Sequence, residues 1–280
     1  MAEAVAALSL GRLASAQRCR RFLATLLDAD TKPRPVAKGA FRLDSAVREA
    51  IRVAHEVADQ RRGTVGDTLE EFPPPGLSAE ERSRFRRAVQ SYGEFVGDDP
   101  VSLHATAGEF LDRPSRTGRF RLTGRNDTTV VHRETNVVEI RRVHLGSRRA
   151  ALLTLDTETT DEASTADPHD SPDAIDSDAL LALLITKEAP TPTGTLPRVR
   201  HLWLGASTGE TMRDVTGEAI SAAARQLTEL VERALLDPRE TPGWWCDSCP
   251  AIRSCTAVSS MTDQDLATRL KPGGAALAVP

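Results

Sequence analysis

Residues 120–145 read FRLTGRNDTTVVHRETNVVEIRRVHL, and the reading of this stretch decides the fold. Apolar and polar residues alternate through Phe120–Val131 and again through Val137–Leu145. A period of two marks β-strands with one buried face. The polar run His132-Arg-Glu-Thr-Asn136 between them suits a hairpin loop. A loop centred on Glu134 predicts that Thr129 faces Glu139 and that Asp127 faces Arg141. Asp127, Glu139 and Arg141 then share one face, with the two carboxylates as diagonal neighbours. Two carboxylates together with substrate phosphate oxygens are a common way to hold Mg²⁺. Such an ion activates water and offsets charge on a phosphodiester. The plain alternative is that these acids and arginines decorate a solvated face.

Upstream of the hairpin the apolar period changes to that of a helix. Residues 4–28 read as one helix, with Leu8, Leu13, Phe22, Leu23 and Leu26 apolar. Asp44 or Ser45 can cap a second helix running to about Arg62. Ser78-Ala-Glu-Glu81 is a capping box that starts a third, running to about Phe95. Pro33-Arg-Pro35 and Pro73-Pro-Pro-Gly76 break the chain between them. Downstream, Ala150–Leu155 reads as a third strand and Val199–Leu204 as another. Leu180–Thr186 is apolar and fits either a helix or a strand, and Glu218–Leu236 is an amphipathic helix. The expected fold is a mixed α/β domain with helical additions.

Composition sets the remaining bounds. In 280 residues, 40% are hydrophobic but only 4% aromatic, so the core is built from Ala, Leu and Val. No apolar run is long enough to cross a bilayer, and the start lacks a basic signal-peptide region. These features predict a soluble cytoplasmic protein with no membrane partner. The segment Asp156–Asp178 holds nine of the 40 acidic residues and no Lys or Arg, and reads as a disordered insertion or mobile loop. The remaining 31 acids face 36 Lys and Arg, a mild basic surplus that suits a polyanion. Arg12, Arg18, Arg20 and Arg21, and Arg82, Arg84, Arg86 and Arg87, are possible phosphate contacts. Each set reads equally well as a solvated helix face.

The chain has four cysteines. Cys246, Cys249 and Cys255 have the spacing Cys-x2-Cys-x5-Cys, which can aim three thiolates at one inorganic centre. A fourth ligand must come from elsewhere, and Cys19 is the one cysteine left. Ligation by all four would tie the first helix to the C-terminal segment across a very long loop. A [4Fe–4S] cluster fits this set. A structural zinc ion would use the same thiolates, although zinc ribbons more often offer two Cys-x2-Cys knuckles. Disulfides do not suit a cytoplasmic chain, and four scattered buried thiols are the simplest alternative.

These pieces together resemble the PD-(D/E)XK nuclease superfamily, in its RecB-like iron–sulfur branch, which includes AddB nuclease subunits and CRISPR adaptation exonucleases. Ser9–Phe22, with Cys19 before a basic-aromatic step, resembles the family's opening. Ile51-Arg-Val-Ala-His55-Glu56 resembles its metal-binding helix, and Leu122-Thr-Gly-Arg-Asn-Asp127 its Gly-x-x-Asp strand. Val137-Val-Glu139-Ile-Arg141 resembles the (Asp/Glu)-x-Lys strand, and Pro242–Cys255 the terminal cysteine motif.

The resemblance implies a restriction-endonuclease-like mixed sheet flanked by helices, with the two ends joined at a [4Fe–4S] cluster on Cys19, Cys246, Cys249 and Cys255. It implies an N-terminal cysteine helix in residues 1–30 and a nuclease-like domain in 31–236, with the acidic insertion at about 156–178. A cluster segment follows in 237–260 and a tail in 261–280. It further implies Mg²⁺ or Mn²⁺ on His55, Asp127 and Glu139, DNA as partner, and room for a helicase or another DNA-processing subunit. Two departures stand out. Arg141 replaces the family's Lys, and an arginine stays protonated. The stretch Ala179–Leu184 lacks the Gln and Tyr of the family's next helix. Three functions are therefore open: a metal-dependent deoxyribonuclease, a catalytically weak or inactive DNA-binding or scaffolding subunit, and a zinc-stapled interaction protein.

Overall fold

The computed structural model describes residues 6–28, 40–69, 73–105, 110–115, 118–145, 174–188, 194, 196–205, 208–240, 246, 249 and 251–260. The chain begins with strand β1 (Ala6–Ser9) and helices α1 (Leu10–Arg18) and α2 (Arg20–Leu27). Helices α3 (Ala40–Arg61) and α4 (Ala79–Val96) follow. Five strands come next: β2 (Val101–Ala105), β3 (Phe110–Pro114), β4 (Phe120–Arg125), β5 (Thr128–His132) and β6 (Val138–His144). Helix α5 (Ser177–Glu188), strands β7 (Arg198–Leu204) and β8 (Thr208–Asp214), and helix α6 (Gly217–Leu236) complete the main body.

The strands form two mixed sheets flanked by helices. One has the order β1-β4-β3 and the other β2-β5-β6-β7-β8. In the larger sheet β6 and β7 run parallel and the other neighbours antiparallel. Alternation assigns the two faces of that sheet to two cores. Ile140 and Val199 join the core built from α1, α2, α5 and α6. Val143, Leu202 and Leu204 join the core built from α3 and α4. Cys19, Cys246 and Cys249 belong to the first core, so the two ends of the chain share one apolar interior.

Several local expectations hold because their signals are local. The Ser78 hydroxyl accepts from the Glu81 amide, the Glu81 carboxylate accepts from the Ser78 amide, and α4 starts there. Thr216 caps α6 in the same way at one end. Leu180–Thr186 is helix, not strand.

Other expectations change. The single helix over residues 4–28 is β1 followed by two helices, because Cys19 is extended (φ −140°, ψ 110°) and breaks the run. The strand expected over Phe120–Val131 is divided at Asn126-Asp127, and its halves belong to different sheets. The hairpin loop is closed by a His132–Val137 pair, with Asn136 left-handed at φ 56°. That shifts the register by one residue, so Thr129 faces Ile140 and Thr128 faces Arg141. Strands β2, β3 and β8 are additions to the sequence reading. The strand expected at Ala150–Leu155, the tail 261–280 and most of the acidic segment lie outside the described residues. The last part of that segment is ordered: Asp176 accepts from the amides of Asp178 and Ala179 at the start of α5, and Asp178 is buried.

Candidate functional site

Asp127, Glu139, His55 and Arg141 all lie near the face of the large sheet that packs on α3 and α4, but they do not form one carboxylate pair. Asp127 sits just before β5, at the bend between the two sheets. Its carboxylate forms an ion pair with Arg48 of α3 and accepts from the Val143 amide at 3.0 Å. Arg48 also donates to Asp44 at 2.9 Å and to the Val143 carbonyl at 2.7 Å. A guanidinium therefore stands against Asp127, locked to α3 and β6 at once.

Glu139 lies farther along β6, in a second ion-pair network. Arg141 Nε donates to it at 2.6 Å, and Arg141 Nη2 donates to Asp99 at 2.6 Å. Arg200 of β7 reaches Asp99 at 3.2 Å and Glu139 at 3.7 Å. His132 approaches Glu139 at 3.3 Å. Burial opposes ionisation of Glu139, but Arg141, Arg200 and His132 outweigh it and hold the carboxyl below its ordinary range. Arg141 is fully buried, and its Nη1 has no hydrogen-bond partner among the described residues.

His55 of α3 is buried, and its Nε2 lies 2.7 Å from the Tyr92 hydroxyl. Burial first, and the Arg141 charge second, push its pKa down to about 3, so the imidazole is neutral. The one-residue register shift explains the separation of the acids. Glu139 pairs with Val130, three residues past Asp127, so the diagonal contact expected between the carboxylates is not made. Among the described residues, no three His, Cys, Asp or Glu side chains group to hold a metal ion. The positions that a divalent cation would neutralise are met by Arg48, Arg141 and Arg200. These residues do not fit a Mg²⁺ or Mn²⁺ ion.

The sequence reading missed Arg48, Tyr92, Asp99 and Arg200. Arg48 carried a faint signal, as a charged residue on the apolar face of an otherwise ordinary helix. The others reach the site only through tertiary contacts.

The four cysteines are all buried and none forms a disulfide. The Cys249 thiol is pushed up to about 11, first by burial and further by the nearby Cys19, Cys246 and Cys255. Cys19, Cys246 and Cys255 are therefore near enough to Cys249 to act on it electrostatically, but no three of the described cysteines are grouped closely enough to hold a metal ion. The backbone around them is tied down locally. The Cys249 amide donates to the Cys246 carbonyl at 3.0 Å, and the Arg21 amide to the Arg239 carbonyl at 3.0 Å. Arg20 bonds Asp237 at 3.2 Å, and Glu240 accepts from Thr256 and Ala257 at the start of the short helix Thr256–Ser259. The start of α2 and the C-terminal segment are thus clasped beside the cysteines.

No protein-family model matches the chain, and no curated protein is found similar to it. No helix among the described residues is long and apolar enough to cross a membrane.

Proposed function

We propose that the chain is a nuclease-like DNA-binding protein, stapled by a [4Fe–4S] cluster, in which metal-dependent hydrolysis at Asp127 and Glu139 has been lost. The observation that carries this reading is the pairing of each carboxylate with a permanent cation: Asp127 with Arg48, and Glu139 with Arg141. An arginine neither dissociates like a bound metal nor gives up a proton like a lysine. The mixed sheets flanked by helices, with His55 on α3, Asp127 just before β5 and Glu139 on β6, support kinship with the nuclease superfamily. The substitutions support loss of its chemistry.

Cys19, Cys246, Cys249 and Cys255 would hold the cluster. Their donor set suits it, because crowded, desolvated thiols favour the thiolate only when positive charge is supplied, and iron supplies it. The cluster's contribution here is a clasp between the two ends of the chain. DNA contact falls most naturally on α4, where Arg84, Arg86 and Arg87 are exposed. Arg20, by contrast, is engaged by Asp237.

Protein purified without oxygen tests the reading. It should contain iron and sulfide, bind DNA with strong salt dependence, and leave DNA uncut in Mn²⁺ or Mg²⁺. Cleavage that is lost in Glu139→Ala or Asp127→Ala would overturn the loss of catalysis. A preparation holding zinc without iron would overturn the cluster.

A further inference from the structure

A long run of uncompensated positive charge lies outside both sites above. Residues 113–126, between Asp112 and Asp127, hold five arginines and no lysine or acid. The whole chain carries a net charge of −4, so this run does not reflect a generally basic protein. It builds the hairpin of β3 and β4 in the smaller sheet. The Ser115 amide donates to the Phe120 carbonyl at 2.7 Å and closes the turn. Phe120 and Leu122 of β4 belong to the first core, and Gly124 faces Leu10 and Leu184. Alternation sends Arg121, Thr123 and Arg125 to the other side of the strand. Arg119 stands just before it, and all three arginines are exposed. Alternate residues of a strand recur about 6.6 Å apart, so Arg121 and Arg125 stand about 13 Å apart along one ridge.

The neighbours of this ridge are short. Ala7 of β1 and Pro114 of β3 are level with Arg121, and Ser9 of β1 is level with Thr123. The three strands of this sheet contain one acid, Asp112, the register partner of Thr123. Arg121 has a further contact of its own. Among the described residues, Arg119 and Arg125 form no ion pair. Glu49 of α3 and Arg125 act on one another electrostatically, but Glu49 is held first by Arg52, at 2.5 and 2.9 Å. Two cations are thus left at the surface without a counter-ion of their own. The ridge also adjoins α4. Arg125 lines a groove of about 880 Å³ together with Ala46 and Ala50 of α3, Leu77, and Phe85 of α4. Arg84 and Arg86, on either side of Phe85 in the chain, are exposed, so arginines of both elements stand near one groove.

We propose that the outer face of β4 is a second DNA contact, in which Arg119 and Arg125 pair with backbone phosphates of a duplex that also meets α4. The contact rests on the reading of the chain as a DNA-binding protein, and it adds double-stranded DNA as the form bound and a second surface that binds it. The partner follows from charge. A guanidinium without a counter-ion pairs with phosphate through two parallel hydrogen bonds. Ala7, Ser9 and Pro114 are low enough for a phosphate backbone to approach the ridge. Two arginine sets beside one groove suit the two rigid phosphate rows of a duplex better than one flexible strand. Phosphate contacts carry no sequence information, so binding at the ridge is indifferent to base sequence.

The salt dependence of duplex binding tests this with the full chain, read by fluorescence anisotropy of a short labelled duplex. Each phosphate contact contributes about 0.9 to the slope of log affinity against log salt, so Arg119→Gln/Arg125→Gln should lower the slope by about 1.8. Between about 50 and about 200 mM salt, that variant should lose on the order of tenfold less affinity than the wild type. Both side chains are exposed, so its thermal unfolding should match the wild type. Arg119→Lys/Arg125→Lys keeps the charge and should restore most of the slope. Arg225→Gln/Arg233→Gln on α6 removes the same net charge elsewhere and should leave the slope as in the wild type. An unchanged slope in Arg119→Gln/Arg125→Gln would overturn the ridge and leave DNA binding to α4. An equal drop in the α6 variant would reduce the effect to net charge and overturn the ridge as well. A wild type that binds no duplex would overturn both the ridge and the DNA-binding reading.

Discussion

Arg141→Met separates a structural counter-ion from a catalytic residue. The side chain is wholly buried and its Nε lies 2.6 Å from Glu139, itself only 2% exposed. Removing one member of a buried pair leaves an uncompensated charge, at a cost of about 3–5 kcal/mol. Arg200 stays 3.7 Å from Glu139 and 3.2 Å from Asp99, so it takes over part of the compensation. The expected loss is therefore near the lower end, about 3 kcal/mol. Urea denaturation measures it directly. The double variant Glu139→Gln/Arg141→Met should recover most of the loss, because the buried charge goes with its partner. Acidity supplies an independent check. Glu139 titrates below its ordinary value of 4.5 in the folded protein, so its stabilisation is complete above that pH and fades as pH falls through the lower folded value. In Arg141→Met the stranded carboxylate takes up a proton more readily, so the gap from wild type should be widest near neutrality and close on acidification. A loss under about 0.5 kcal/mol, or a gap that does not vary with pH, would refute the reasoning.

His55 supplies a second pH effect. Its folded pKa, near 3, lies far below the ordinary 6.5, so between those values the unfolded chain holds more protons and stability falls on acidification. The slope from this group approaches 1.4 kcal/mol per pH unit, and in His55→Gln, which can still bond Tyr92, that part of the slope should vanish from denaturation curves collected across the window. Gly124 belongs to packing more than to a nuclease motif. An added Cβ would lie 2.9 Å from Leu184 Cδ1 and 3.1 Å from Leu10 Cδ1. Gly124→Ala should cost about 1 kcal/mol of stability, with partial recovery in Gly124→Ala/Leu184→Ala, both read by thermal unfolding. Cys19→Ser should lower bound iron and loosen the C-terminal segment, seen as faster amide exchange over residues 251–260, while DNA contacts on α4 persist; full iron content in that variant would remove Cys19 from the ligand set.

Local signals were legible in the sequence and global ones were not. The capping box at Ser78 and Glu81 and the apolar stripe of α6 need only neighbouring residues, so they located two helices to within about a residue. Strand β8 gave no signal, because TGETMRD lies at a sheet edge with both faces largely exposed and has no apolar alternation to read. Strand β1 is four residues long and runs straight into α1, so its pattern merged with the helix. The division at Asn126-Asp127 was hidden for a different reason. Alternation continues in phase on both sides of the bend, and nothing in the residues themselves says that the chain changes sheet there.

The site illustrates how much depends on that one bend and one loop. With a loop centred on Glu134, Asp127 and Glu139 are neighbours, and a shared divalent ion is the natural way to reconcile two close carboxylates. With the loop closed by His132 and Val137, the acids are set apart along β6 and each needs its own cation. Arg48 reaches one from α3, while Arg141 and Arg200 reach the other from within the sheet. Arg141, where the resembled motif has lysine, is then no isolated departure. A lysine in so dry a position could surrender its proton and leave Glu139 without a partner, whereas an arginine keeps its charge. Permanent cations make this face of the sheet independent of metal supply and of proton transfer. What they remove is the exchangeable charge that metal-dependent hydrolysis requires, so the same contacts that stabilise the sheet fit the proposed reading of binding without cleavage.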